Sequence, residues 1–191
     1  MTGMRPVPDF IAAVVTARDL VVTESHQHAW RVQPRESTLA WHCDLDDGTP
    51  TGDDDPASFV RWVCPALRWR GAAADAPLDV RRSGPQSDLG RLAARLGRLL
   101  SGAPAPDVQD RYDYTDPHGM IDAALRERLE RGPTAMYGDL VERPYELTSI
   151  RMTHEGLVVS TGSWWGSAPA LDHHIALAID VAARLAARQA D

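Results

Sequence analysis

Residues 28–43 read HAWRVQPRESTLAWHC, and the alternation of apolar and polar side chains on either side of Pro34-Arg35-Glu36-Ser37 decides what this chain can build. A period of two is the mark of a strand with one buried face. A hairpin centred on that four-residue turn sets Val32 opposite Leu39, Trp30 opposite Trp41 and His28 opposite Cys43, all on one side. Ala29, Arg31, Gln33, Thr38, Ala40 and His42 fall on the other side. The first set is the core face, because it carries both tryptophans.

A second hairpin is expected further along, with Tyr145 to Thr153 and Leu157 to Trp164 flanking Glu155-Gly156 and gathering Ile150, Met152, Leu157 and Val159 on one face. Leu20 to Thr23 reads as another strand, and Phe59 to Trp69 as a strand or strand pair broken at Pro65. None of these runs is continuously apolar, so antiparallel pairing with one solvated face is favoured over a buried parallel sheet.

Helical spacing fills the gaps. Asp9 is placed to cap a helix reaching Arg18 with Phe10, Val14 and Ala17 inward. Ser87 caps a second helix in which Leu89, Leu92, Leu96 and Leu99 recur, with Arg91, Arg95 and Arg98 along another face, until Gly102 ends it. Asp116 and Pro117 open a third through Ile121, Leu125 and Leu129, stopped by Gly132-Pro133. A last helix from about Pro169 carries Leu171, Ile175, Ala178, Ala182 and Leu185 on one stripe. The expected class is α+β: an antiparallel sheet built from two hairpins, with three to four helices packed mainly on one face.

The 191 residues suffice for a single globular domain with a sizeable core. Residues 71–86, rich in Ala, Pro and Gly, offer the natural division if there are two lobes, 1–70 and 87–191.

All twenty basic side chains are arginine, which closes off a Schiff-base lysine, a Walker A lysine and a kinase-type lysine. Arginine stays charged and takes no part in proton transfer, so the basic groups serve ion pairing, anion contact or stacking. Such usage, beside abundant Ala, Gly, Pro and Asp, fits a GC-rich bacterial gene. A net charge of -7 repels a phosphate backbone, so nucleic acid is not an expected partner. The apolar stretch Phe10 to Val15 is too short and wrongly flanked for a signal peptide, and no segment approaches a membrane span. With Cys43 and Cys64 its only cysteines, the chain reads as a soluble cytoplasmic protein without a disulfide framework.

Several residue sets invite chemistry. His26, His28, Cys43 and Cys64 have the donor types of tetrahedral zinc, but their spacing matches no short zinc pattern and their face is claimed by core packing. No bound metal and no cofactor are therefore expected. His42 sits next to Cys43, and strand neighbours point to opposite faces, so adjacency separates this base from this thiol. Gly162-Ser163-Trp164-Trp165-Gly166 lacks the central serine of a hydrolase elbow. Asp172, His173 and His174 open the last helix, where a helix N-terminus keeps imidazole neutral; His118 beside Asp116 is placed similarly. The stretch Asp44 to Pro56 is an exposed acidic loop that fails the calcium-loop pattern at its fifth, sixth and twelfth positions. No dinucleotide fingerprint and no His-Glu-x-x-His motif is present.

These observations point to a non-catalytic binding or regulatory protein, of immunity type, docking a basic protein partner. Its expected contact residues are Asp53, Asp54 and Asp55 of the acidic loop, for steering, and Trp164 and Trp165, one of which should face outward as an anchor. The alternative is a small hydrolase, dependent on a metal or on histidine and cysteine, whose residues converge only in three dimensions.

Overall fold

Pro8 and Asp19 mark the limits of the first helix through their backbones. The computed structural model describes residues 6–26, 29–46, 59–72, 76, 78–82, 112–117, 119–130, 134–137, 141–145, 147–161 and 167–190. Helix α1 spans Asp9–Ala17, with Pro8 rather than Asp9 at the N-cap, so Asp9 acts as a first-turn acid at the positive helix end. Asp19, at φ 50°, takes the left-handed conformation just past the helix end that Asp tolerates better than most residues. The buried residues of α1 are Ile11 and Val14, with Phe10 only partly covered, so the inner face is turned by one position from the expected one.

Among the described residues ten strands follow: β1 Leu20–Ser25, β2 Ala29–Pro34, β3 His42–Asp46, β4 Phe59–Cys64, β5 Asp79–Arg82, β6 Tyr112–Thr115, β7 Thr134–Tyr137, β8 Val141–Pro144, β9 Leu147–Thr153 and β10 Gly156–Thr161. Between β6 and β7 lies α2, Ala123–Glu130, and the chain closes with α3, Ala168–Ala190. Eight strands form one sheet in the order β1-β2-β3-β4-β10-β9-β5-β6, every described pairing antiparallel, while β7 and β8 pair separately. The class is α+β with an antiparallel sheet, and the sheet is larger than two hairpins. It takes strands from both sides of residues 71–86, with β4 beside β10.

The β2–β3 pairing differs from the expected register by four residues. Trp30 pairs with Leu45 and Val32 with Cys43, not with Trp41 and Leu39. The cause lies on the other side of β2, which continues to Pro34 opposite Leu20 of β1, while the Arg35 N–H donates to the Asp19 carbonyl at 3.2 Å. Residues 35–41 are thereby left as a longer connection, and Trp41 packs on Trp62, 5.6 Å between ring centres. Because the shift is even, both tryptophans still face the core. His28, the other half of the expected pair with Cys43, lies outside the described residues.

One transverse row of the sheet builds the core: Val22, Val32, Cys43, Trp62, Val159, Ile150 and Val80 are register partners in succession. Ile11 and Val14 of α1, Leu125 and Leu129 of α2, and Leu171, Ile175, Ala178, Ala182 and Leu185 of α3 join these strands in one buried cluster. Ser167 caps α3, its carbonyl accepting from Leu171 N–H at 3.0 Å. For α2 the cap is Asp122, whose Oδ1 accepts from Leu125 N–H at 2.8 Å. Asp116, the expected cap, instead holds the preceding turn by accepting from the Met120 and Ile121 N–H groups. Arg18 pairs with Asp172, and Arg128 with Asp180, tying α1 and α2 to α3. The expected helix from Ser87 to Gly102 lies outside the described residues.

Candidate binding site

Alternation along each strand puts a second transverse row on the other face of the sheet, one residue per strand: Glu24, Arg31, Asp44, Arg61, Ser160, Ser149, Arg81 and Asp113. Opposite charges meet along it. Arg31 donates to Glu24 and to Asp44, each at 2.6 Å, and both acids hold its guanidinium proton more firmly than usual. Arg61 pairs with Glu155, whose carboxyl is drawn below its usual range chiefly by that hydrogen bond. Ser149 and Ser160 hydroxyls lie 2.9 Å apart. In the neighbouring row Asp79 takes Arg81 in a two-point grip, at 2.8 and 2.6 Å, and stands 3.7 Å from Arg151 Nε.

At one end this face deepens into a pocket of about 740 Å³ over Ser149, Ser160 and Val158. Its walls come from β4, β9, the β9–β10 turn and the segment after β4. That segment leaves the sheet because Pro65 has no N–H to continue the strand, and is tied back by the Trp69 N–H donating to the Thr153 carbonyl at 2.8 Å. It delivers Trp69 and Arg70 to the rim. Trp69 Nε1 donates to the Ala72 carbonyl at 2.9 Å, and a side chain at Gly71 would run into the Trp69 ring, 2.6 Å from its nearest atom. The indole is therefore held in place by its own turn. Arg61 and Arg151 complete the cationic lining, with His154 and Glu155 at the mouth.

A different polar group is sealed inside the core. Tyr145 and His174 are both buried and meet at 2.6 Å between Oη and Nδ1. Burial drives the His174 pKa from 6.5 down to about 3, and the Tyr145 hydroxyl well above 10. With His174 neutral, Tyr145 donates to Nδ1, which leaves the proton on Nε2. Nε2 faces the Val159 backbone without completing a well-formed hydrogen bond. His173 stacks edge-on against Tyr145 with ring centres 4.9 Å apart, and its Nε2 lies 3.2 Å from the Arg128 carbonyl.

The expected contact residues Asp53, Asp54, Asp55, Trp164 and Trp165 lie outside the described residues, as does His118. Asp44 and Asp46, assigned to the acidic loop from sequence, are the last part of β3, with Asp44 in the charged row. His42 is half-buried, on the face opposite the fully buried Cys43, and stands 3.7 Å from Asp44. Burial pushes both thiols, Cys43 and Cys64, above their ordinary pKa, so each stays protonated at neutral pH. His26 is exposed at the end of β1. Among the described residues no three His, Cys, Asp or Glu side chains gather to hold a metal. Likewise, no described helix is long and apolar enough to cross a membrane.

Sequence reasoning missed the pocket. The available signal was the placement of Arg61 and Arg151 at outward positions of their strands, but only the β4–β10–β9 order brings them together. No protein-family model, no curated protein and no solved structure matches this chain.

Proposed function

We propose that this chain is a non-catalytic protein-binding protein, regulatory in the manner of an immunity protein, which docks its partner on the second face of the sheet. The observation that supports this reading is the polar row from Glu24 to Asp113, one residue on each of eight strands and charged everywhere but at Ser160 and Ser149, where it opens into the pocket. Exposed ion pairs contribute only about 0 to 1 kcal/mol each to folding, so stability alone does not account for such an array. Alternating charge on a twisted sheet face suits partner selection, since it fixes register and rejects surfaces with the wrong sign order. Asp53, Asp54 and Asp55, together with an outward member of the pair Trp164 and Trp165, are proposed as a further contact element toward a basic region of the same partner.

The rival reading, a small hydrolase dependent on a metal or on histidine and cysteine, draws less support among the described residues: the two thiols are held protonated by burial, and His174 is sealed away from solvent.

The test is affinity capture with the intact chain, identification of retained proteins, and rebinding of the purified candidate. Arg31→Glu with Arg81→Glu should abolish rebinding, while Arg188→Glu on α3 should leave it intact. Equal binding by all three chains would refute docking on the sheet face.

A further inference from the structure

The pocket lining carries three arginines, Arg61, Arg70 and Arg151, against a single glutamate, Glu155, in a chain whose net charge is -7. A cationic concavity on an acidic protein is built against the average field, and it selects ligands of the opposite sign. Two of its guanidiniums are incompletely engaged. Arg151 Nε is buried with no hydrogen-bond partner among the described residues, and Asp79, 3.7 Å away, is gripped at both oxygens by Arg81. Among the described residues Arg61 is hydrogen-bonded by one acid, Glu155, and that acid comes from an exposed turn. The turn itself is well fixed: Glu155 N–H donates to Thr153 Oγ1 at 3.2 Å, and that hydroxyl donates to the Gly156 carbonyl at 3.1 Å.

We infer that this pocket is a carboxylate-binding site that receives an acidic segment of the protein partner, and that Glu155 occupies in the free protein the place which the partner's carboxylate takes at Arg61. The inference rests on the docking reading above and names the chemistry of the segment that enters. An arriving carboxylate exchanges one two-residue ion pair for another at Arg61, so the site is opened at little expense, and a second oxygen or a second acid then meets Arg151 and Arg70. Planar guanidinium groups favour such two-point contacts with carboxylates. At the floor, the paired Ser149 and Ser160 hydroxyls use one proton between themselves and leave the other to donate. Trp69, its N–H already spent on Ala72, offers only its ring, which suits the methylenes of a glutamate or an aliphatic neighbour. A basic segment meets three like charges here, and a nucleic acid meets the repulsion of the whole chain.

The experiment is fluorescence anisotropy of a fluorescein-labelled hexaglutamate peptide titrated with the intact chain at low salt. Glu155→Gln should tighten binding by about five- to tenfold, because it removes both a like charge and the internal competitor, whereas Arg61→Gln and Arg151→Gln should each weaken it by about tenfold or more. Arg151→Lys should recover part of the loss, since it restores charge without the two-point geometry. Glu155 is an exposed turn residue, so its variant keeps the fold, which circular dichroism checks. Unchanged or weaker binding by Glu155→Gln overturns the inference. So does hexalysine binding as well as hexaglutamate, a single-stranded oligonucleotide binding more tightly than either, or inorganic phosphate displacing the peptide more readily than acetate does. A purified partner that needs Arg31 and Arg81 but ignores Arg70, Arg151 and Glu155 would overturn this inference and leave the docking reading standing; one that ignores all five would overturn both.

Discussion

Tyr145 Oη donates to His174 Nδ1 across 2.6 Å in the interior, joining the entry to β9 with the second turn of α3. The pair is a polar island in an apolar cluster, and its free energy depends on His174 staying neutral. His174 titrates near 3 in the native chain and near 6.5 when unfolded, so over that interval the unfolded chain binds a proton that the native one refuses. Stability from this residue is complete above about pH 6.5 and falls as the pH drops toward 3, by roughly 1.4 kcal/mol per unit once well inside the window. Between pH 7 and 5 the loss is about 2 kcal/mol. His42 and His173, also shifted down by burial, act in the same direction. Urea denaturation at both pH values should show His174→Gln losing less stability than the natural chain over this range, and equal losses would contradict the assignment.

Removing the other half of the pair gives an independent check. Tyr145→Phe leaves Nδ1 buried without a donor, so it should destabilise by about 1 to 3 kcal/mol despite changing almost no volume. A urea midpoint unchanged at neutral pH would mean that the hydroxyl and the imidazole do not interact.

Trp62 is fully buried, in contact with Trp41, and its indole N–H has no hydrogen-bond partner among the described residues. Trp62→Ala and Trp41→Ala should each cost about 3 to 5 kcal/mol, through lost burial and a residual cavity. Trp62→Phe should cost clearly less than Trp62→Ala, because both remove the unpaired donor but phenylalanine keeps most of the buried ring volume and leaves a smaller cavity. The rings touch, so the double alanine variant should be less destabilised than the sum of the singles, as measured by a double-mutant cycle.

How much of this was legible in the sequence can be told residue by residue. The strand pattern around Trp30 and the pairing of Ile150 with Val159 depend on local alternation, which a single sequence carries. The connection between β2 and β3 is longer than local alternation implies because Pro34 is claimed by β1, and competition between two partners for one strand is not a local property. Asp122, not Asp116, caps α2 for a related reason: both are acids near a helix start, and only the path of Gly119, at φ 62°, separates them. The pocket was hidden more deeply. Arg61 and Arg151 are 90 positions apart, and only the pairing of β4 with β10, which sets Arg61 opposite Ser160, brings Arg61 to the β9–β10 hairpin that carries Arg151.

Gly156 joins fold to site. Its φ of 141° is open to glycine, and a Cβ there would lie 2.2 Å from the Cys64 carbonyl oxygen and 2.9 Å from Pro65 Cα, backbone atoms that cannot turn aside. Gly156→Ala should therefore destabilise by about 2 kcal/mol or more, since the backbone of Cys64 and Pro65 must shift to admit the methyl group. Retained stability, read from thermal unfolding, would show that the turn accommodates the methyl group.

The final expectation separates steering from anchoring. Charges far from the contact centre act on encounter, whereas a buried ring acts on residence. With a purified partner, the triple change of Asp53, Asp54 and Asp55 to Lys should slow association with little change in dissociation, and this effect should shrink at high salt as screening shortens the reach of the charges. Trp69→Ala, or truncation of Trp164 or Trp165, should instead quicken dissociation. Surface plasmon resonance at two salt concentrations resolves the two. A partner whose kinetics are indifferent to the acidic triplet and to all three tryptophans would remove these residues from the interface and leave the arginine row to account for recognition alone.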